Sequence, residues 1–129
     1  MIHLDTSFLI RALVRGSPED HHLRRWLRSP ETVTVSALVW TEFLCGPVDA
    51  RHVELVSEIT GEPAPFLPRD AVLAARLFNL AGRRRGTLMD CMIAATAIRQ
   101  GADLATSNFE DFRRLQPHGL RLALREGEL

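Results

Sequence analysis

The sequence predicts an α/β sandwich built on a mostly parallel sheet. Two observations carry this. Short β-branched or apolar runs alternate along the chain with helical segments, and the breaks between them carry helix caps and stops. No internal repeat, low-complexity stretch or linker interrupts the pattern, so residues 1–129 read as one domain.

Met1–Leu4 is an apolar run that reads as the first strand, ending in Asp5-Thr6-Ser7. Thr and Ser cap helices well, and Phe8–Val14 follows as a helix. Gly16-Ser17-Pro18-Glu19-Asp20 supplies a break, a cap, a proline at the first helical position and first-turn acids, predicting a helix over Pro18–Arg28. Thr32–Val35 is a β-branched strand, and Ser36 caps a helix running to Cys45, stopped by Gly46-Pro47. Asp49–Ile59 is helical, and the proline-rich connection Gly61–Pro68 has room for one short strand around Phe66. Arg69–Ala81 and Thr87–Gln100 are helices closed by Gly82 and Gly101. Asp103–Thr106 is a brief strand, Asn108–Leu115 a short helix and Leu120–Leu124 a last strand, before a polar tail.

The bulk numbers narrow the function classes. With 46% hydrophobic and 25% charged residues, the chain can build a core without disulfides. A domain of this length buries about 65–70% of its unfolded surface. Cys45 and Cys91 are far apart and read as small buried hydrophobes, which argues against a disulfide framework or a zinc knuckle. No membrane span and no signal-peptide pattern is visible, so the expected location is the cytoplasm. Sixteen basic residues balance sixteen acidic ones, and every basic one is arginine. Without lysine there is no P-loop and no phospho-acceptor signalling site. The five histidines show no metal-ligand spacing, and no G-x-S-x-G or G-x-G-x-x-G motif occurs.

Four acids stand out by position. Asp5 closes the first strand and Asp111 follows the late one, where open parallel sheets place their ligands. Glu42 lies in Ala37–Cys45, apolar on almost every side and therefore expected to be buried, where an unpaired carboxylate is costly. Asp90 is the one charge in Leu88–Ile98, with the small residues Ala94 and Ala97 on its helical face. Two capping boxes compete locally: Thr87-x-x-Asp90, and Ser107-x-x-Glu110, which leaves Glu110 structural. Carboxylates sharing a cleft raise one another's pKa unless a cation neutralises them, and an oxygen-only set selects Mg²⁺ or Mn²⁺ over Zn²⁺. Carboxylate-held Mg²⁺ commonly activates water for phosphodiester cleavage.

At these residues the chain resembles a known family. Leu4-Asp5-Thr6-Ser7 resembles the opening motif of PIN domains, especially VapC-type toxins. Ser36 with Thr41-Glu42-Phe43 and Gly46, then Asp90–Ala95, then Ala105–Phe112 resemble the second, third and fourth motifs, in order. The resemblance implies a PIN-like α/β/α sandwich, with Asp5, Glu42, Asp90 and Asp111 as metal ligands, directly or through water. Ser7 and Asn108 would hydrogen-bond the ligands or the waters beside them. It further implies a Mg²⁺-dependent endoribonuclease, the toxin of a toxin–antitoxin pair, dimeric and paired with an antitoxin that occludes the site. In-line attack by water would leave a 5′-phosphate and a 3′-hydroxyl, with Asp90 or Asp111 accepting the proton.

Arg83-Arg84-Arg85, just before the Asp90 helix, are candidates to grip RNA phosphates, or else form a solvated helix end favoured by the macrodipole. Trp26 and Trp40 fall at core spacing and read as packing. Three rival readings differ in class. A haloacid-dehalogenase-like phosphatase would use Asp5 as nucleophile, but Ser7 stands at its second acidic position and its lysine is missing. The others are a PIN-like module that binds RNA or a partner without cutting, and a nuclease of RNA processing outside any toxin–antitoxin pair.

Overall fold

Three short parallel strands form the centre of the computed structural model, which describes residues 1–129. β1 (Ile2–Leu4) lies between β2 (Val33–Thr34) and β3 (Asp103–Ala105). Ile2 aligns with Val33 on one side and with Asp103 on the other, and Leu4 aligns with Ala105. Every residue of β1 is buried, as expected of a parallel strand covered on both faces.

Seven helices flank the sheet: α1 (Thr6–Ala12), α2 (Pro18–Leu27), α3 (Ala37–Cys45), α4 (Ala50–Thr60), α5 (Pro68–Leu80), α6 (Leu88–Arg99) and α7 (Phe109–Phe112). Several start where their caps dictate. The Ser17, Ser36 and Asp49 side chains accept the amides of Asp20, Val39 and His52. One continuous core of 24 buried residues joins Phe8 and Leu9 of α1 and Trp26 of α2 to Phe43, Ile93, Leu104 and Phe112. Trp26 stacks on Phe8 at 5.5 Å and half-buried Trp40 packs on Phe43 at 5.8 Å, so both indoles serve packing.

Two polar groups lie deep in this core for structural reasons. His3 on β1 is hydrogen-bonded to Gln100 at 2.7 Å, and burial holds its pKa below the usual imidazole value. Asp70 is fully buried, accepts Arg99 Nε at 2.6 Å and also takes the Leu67 amide at 2.8 Å. Arg99 reaches on to the Pro65 carbonyl at 2.8 Å, so one ion pair ties the start of α5 to the end of α6.

Five expectations need correction. The 61–68 connection touches the sheet edge at Ala64, which bridges to Ser36, and not at Phe66. Leu120–Leu124 makes a single bridge, Leu122 to Leu104, too little for a strand. The helix after Asn108 stops at Phe112 and tightens into a 3₁₀ segment over Arg113–His118. Cys45 is exposed; only Cys91 is buried. The fifth is α3, which is not buried all round. Val39 and Phe43 face inward, whereas Leu44 is 46% exposed and Glu42 is exposed as well. No helix is long and apolar enough to cross a membrane.

Candidate active site

The strand order β2-β1-β3 puts a topological switch beyond the carboxyl ends of β1 and β3, where ligand crevices form. Asp5 occupies that position, its amide donating to the Ala105 carbonyl at 2.8 Å. The residue is 6% exposed. Asp5 Oδ2 accepts the Ser7 hydroxyl at 2.7 Å and the Thr106 hydroxyl at 3.0 Å. Burial raises the Asp5 pKa against those two bonds.

The other acids arrive from three further elements. Glu42 on α3 accepts the Thr6 hydroxyl at 2.7 Å. Asp111 on α7 accepts the Asn108 side-chain amide at 2.6 Å. Asp90 stands in the first turn of α6, half-buried, and its pKa is pushed up to about 7. Burial is the largest cause, followed by the charges of Asp111, Asp5 and Glu42, with Arg114 opposing. The four acids therefore share one electrostatic neighbourhood at the sheet's carboxyl edge.

Both capping boxes fail. Thr87 makes no side-chain cap bond and its hydroxyl goes to the Arg84 carbonyl, leaving Asp90 free of that role. Asn108, not Ser107, stands at the cap of α7, and Glu110 pairs with Arg113 at 3.5 Å. Arg83, Arg84 and Arg85 are exposed in the turn between α5 and α6. Arg83 is held by Asn79 and sits over the Phe78 ring, with a left-handed φ of 54°. Arg84 and Arg85 pair with no acid.

Residues outside the sequence expectations complete the site. Thr6 and Thr106 orient Glu42 and Asp5. Arg114 is the cation nearest in effect to Asp90, and its buried Nε has no hydrogen-bond partner. Nothing in a polar stretch such as Arg113-Arg114 signals this; only the fold carries it to α6.

The donor set suits a hard divalent cation, because every candidate donor is oxygen and none of the four acids has an ion-pair partner. The Asp5, Glu42 and Asp111 side chains are turned to hydroxyl and amide donors, and no three of the four acids converge closely enough to ligate an ion as they stand.

The PIN domain family model matches residues 2–116. The chain belongs to the PIN domain family. The fold agrees with those of several solved structures. FitAcB from Neisseria gonorrhoeae superimposes with a TM-score of 0.75 at 19% identity, covering 100% of both chains. VapBC2 from Rickettsia felis, solved with a promoter DNA fragment, gives 0.74 at 21% identity over 95% of this chain and 97% of that one. A toxin–antitoxin complex from Klebsiella pneumoniae gives 0.69 at 22% identity over 87% and 90%. A search of curated proteins returned no match.

Proposed function

We propose that this PIN domain is a Mg²⁺- or Mn²⁺-dependent endoribonuclease and the toxin of a toxin–antitoxin pair. The observation that supports it most is the gathering of Asp5, Glu42, Asp90 and Asp111 at the sheet's carboxyl edge without a paired arginine. A cluster of acids around a buried Asp5 is unfavourable by itself and becomes useful once a cation shares it. Bound there, a divalent ion would polarise the scissile phosphate and acidify the attacking water. The chain's own residues do the rest. Ser7 and Thr106 fix the Asp5 carboxylate, Asn108 fixes that of Asp111, and Asp90 is poised to take the proton of the attacking water.

Incubating the protein with single-stranded RNA tests this directly. Cleavage is expected with Mg²⁺ or Mn²⁺, to stop on adding EDTA and to return when Mg²⁺ is restored, leaving 5′-phosphate and 3′-hydroxyl ends. Cleavage that persists through exhaustive chelation excludes the reading.

Arg84 and Arg85, with Arg83, are proposed to hold RNA phosphates beside α6. Replacing all three with Ala is expected to weaken RNA binding and reduce the salt slope by about 2, since each single-strand phosphate contact contributes about 0.7. An unchanged slope in a salt titration returns them to a solvated turn. The antitoxin is proposed from the toxin–antitoxin complexes of similar fold. An apolar groove of about 410 Å³ between α1, α2 and α4, lined by Leu13, Leu23, Leu27 and Leu55, supports a protein partner. Exposed Leu80, Leu88 and Met89 around the α5–α6 turn support a homodimer.

A further inference from the structure

An open cleft of about 560 Å³ borders the candidate active site, with Arg11, Glu19, Ser107 and Phe109 among the residues lining it. The shared wall is the turn after β3. Thr106 bonds Asp5, the Ser107 amide donates to Ser7 Oγ at 3.2 Å, and Asn108 bonds Asp111. The cleft and the acid cluster therefore share this turn as a common wall.

Glu19, an acid in the first turn of α2, lines that cleft. It is 4% exposed, pairs with no arginine, and takes one hydrogen bond, from the Ser107 hydroxyl at 3.1 Å. A carboxylate has lone pairs for about four donors, and this one uses a single side-chain bond on the wall of the cleft. The lining residues supply what a base needs around such a group. Phe109 offers a ring for stacking, and Arg11 carries an unpaired positive charge for a neighbouring phosphate.

We infer that this cleft is a guanine-selecting subsite, in which the Glu19 carboxylate accepts the two adjacent N–H groups of a guanine base stacked on Phe109. The inference rests on the proposed ribonuclease reading. Guanine alone matches, because its N1–H and N2–H lie side by side. Adenine and cytosine place a lone pair beside their amino group, and uracil has one N–H between two carbonyls. Each of those would set an acceptor against the buried carboxylate.

The test has a binding arm and a cleavage arm. Guanosine 5′-monophosphate titrated into the metal-free protein should bind at least about 10-fold more tightly than the adenosine, cytidine or uridine monophosphates, within the range a bidentate contact provides. Glu19→Gln, nearly isosteric, presents one acceptor and one donor, a pattern that an edge of every base can match, and should abolish the guanine preference. Phe109→Ala should weaken all four. In Mg²⁺, cleavage of a random RNA pool should show guanine enriched at one fixed position, an enrichment that Glu19→Gln should lose. Equal binding of the four nucleotides, or a Glu19→Gln protein that keeps the guanine preference, overturns the subsite. Selective binding without RNA cleavage would sink the ribonuclease reading and leave the guanine site standing.

Discussion

Replacing Asp90 with Asn is expected to slow RNA cleavage by about 10²–10⁴-fold, the usual contribution of a positioned general base. The same substitution is expected to stabilise the metal-free protein at pH 8. The cause is the electrostatics of Asp90, whose folded pKa is about 7 through burial and the charges of Asp111, Asp5 and Glu42. In the unfolded chain an aspartate titrates near ~3.9. Between those pH values the folded protein holds a proton that the unfolded chain has released, so this site's contribution to stability falls as pH rises from about 4 to about 7. Above that the cost is fully present. The unscreened shift corresponds to about 4 kcal/mol, and partial solvent exposure lowers the expected gain of the Asn variant to about 1–3 kcal/mol.

Melts at several pH values check the sign. The variant should match the wild type near pH 4 and exceed it at pH 8. Mg²⁺ supplies the second arm: at ~100 times Kd it should stabilise the wild type by about 2.7 kcal/mol and the variant by less. If Asp90 were instead the counter-ion of Arg114, the substitution would strand a half-buried guanidinium and cost up to about 3–5 kcal/mol. Destabilisation at pH 8 together with an undiminished Mg²⁺ response removes Asp90 from the metal site.

The sequence revealed most where chemistry and position coincide. Asp5 and Asp111 follow strands, and the parallel order β2-β1-β3 carries strand ends to one edge. Asp90 was visible as a single charge in an apolar helix, and burial is the main cause of its raised pKa. The same logic misjudged the surroundings of Glu42. Composition shows that α3 is apolar, but not which of its faces meets a neighbour; α3 packs on α1 and α6 through Val39 and Phe43 and leaves Leu44 and Glu42 outward. Leu120–Leu124 had strand character without a strand partner, since β3 spans three residues and meets it only at Leu104. Glu19, Asp70 and Arg114 were unreadable for one reason. Their roles depend on groups far along the chain, such as Ser107, Arg99 and Asp90.

Asp70 provides the opposite case to Asp90, and its loss is expected to be the most damaging to the fold. Asp70→Ala should destabilise the protein by about 3–5 kcal/mol, because it leaves Arg99 largely buried beside an empty position. It also frees the Leu67 amide at the start of α5, adding the cost of a lost cap. Arg99→Met should cost a similar amount by stranding a carboxylate that is 0% exposed. The double variant should be less destabilised than the two losses added together, because each substitution removes the other's unpaired charge. The proposed Mg²⁺-dependent cleavage should persist in the folded variants, since Asp90 and Arg99 lie at opposite ends of α6, roughly 14 Å apart along the axis. Denaturant melts of the four proteins measure the coupling, and assays well below each midpoint measure the activity. A loss under about 1 kcal/mol for either single variant would make the pair equivalent to a surface salt bridge. Additive losses would show that the two side chains support α5 and α6 independently.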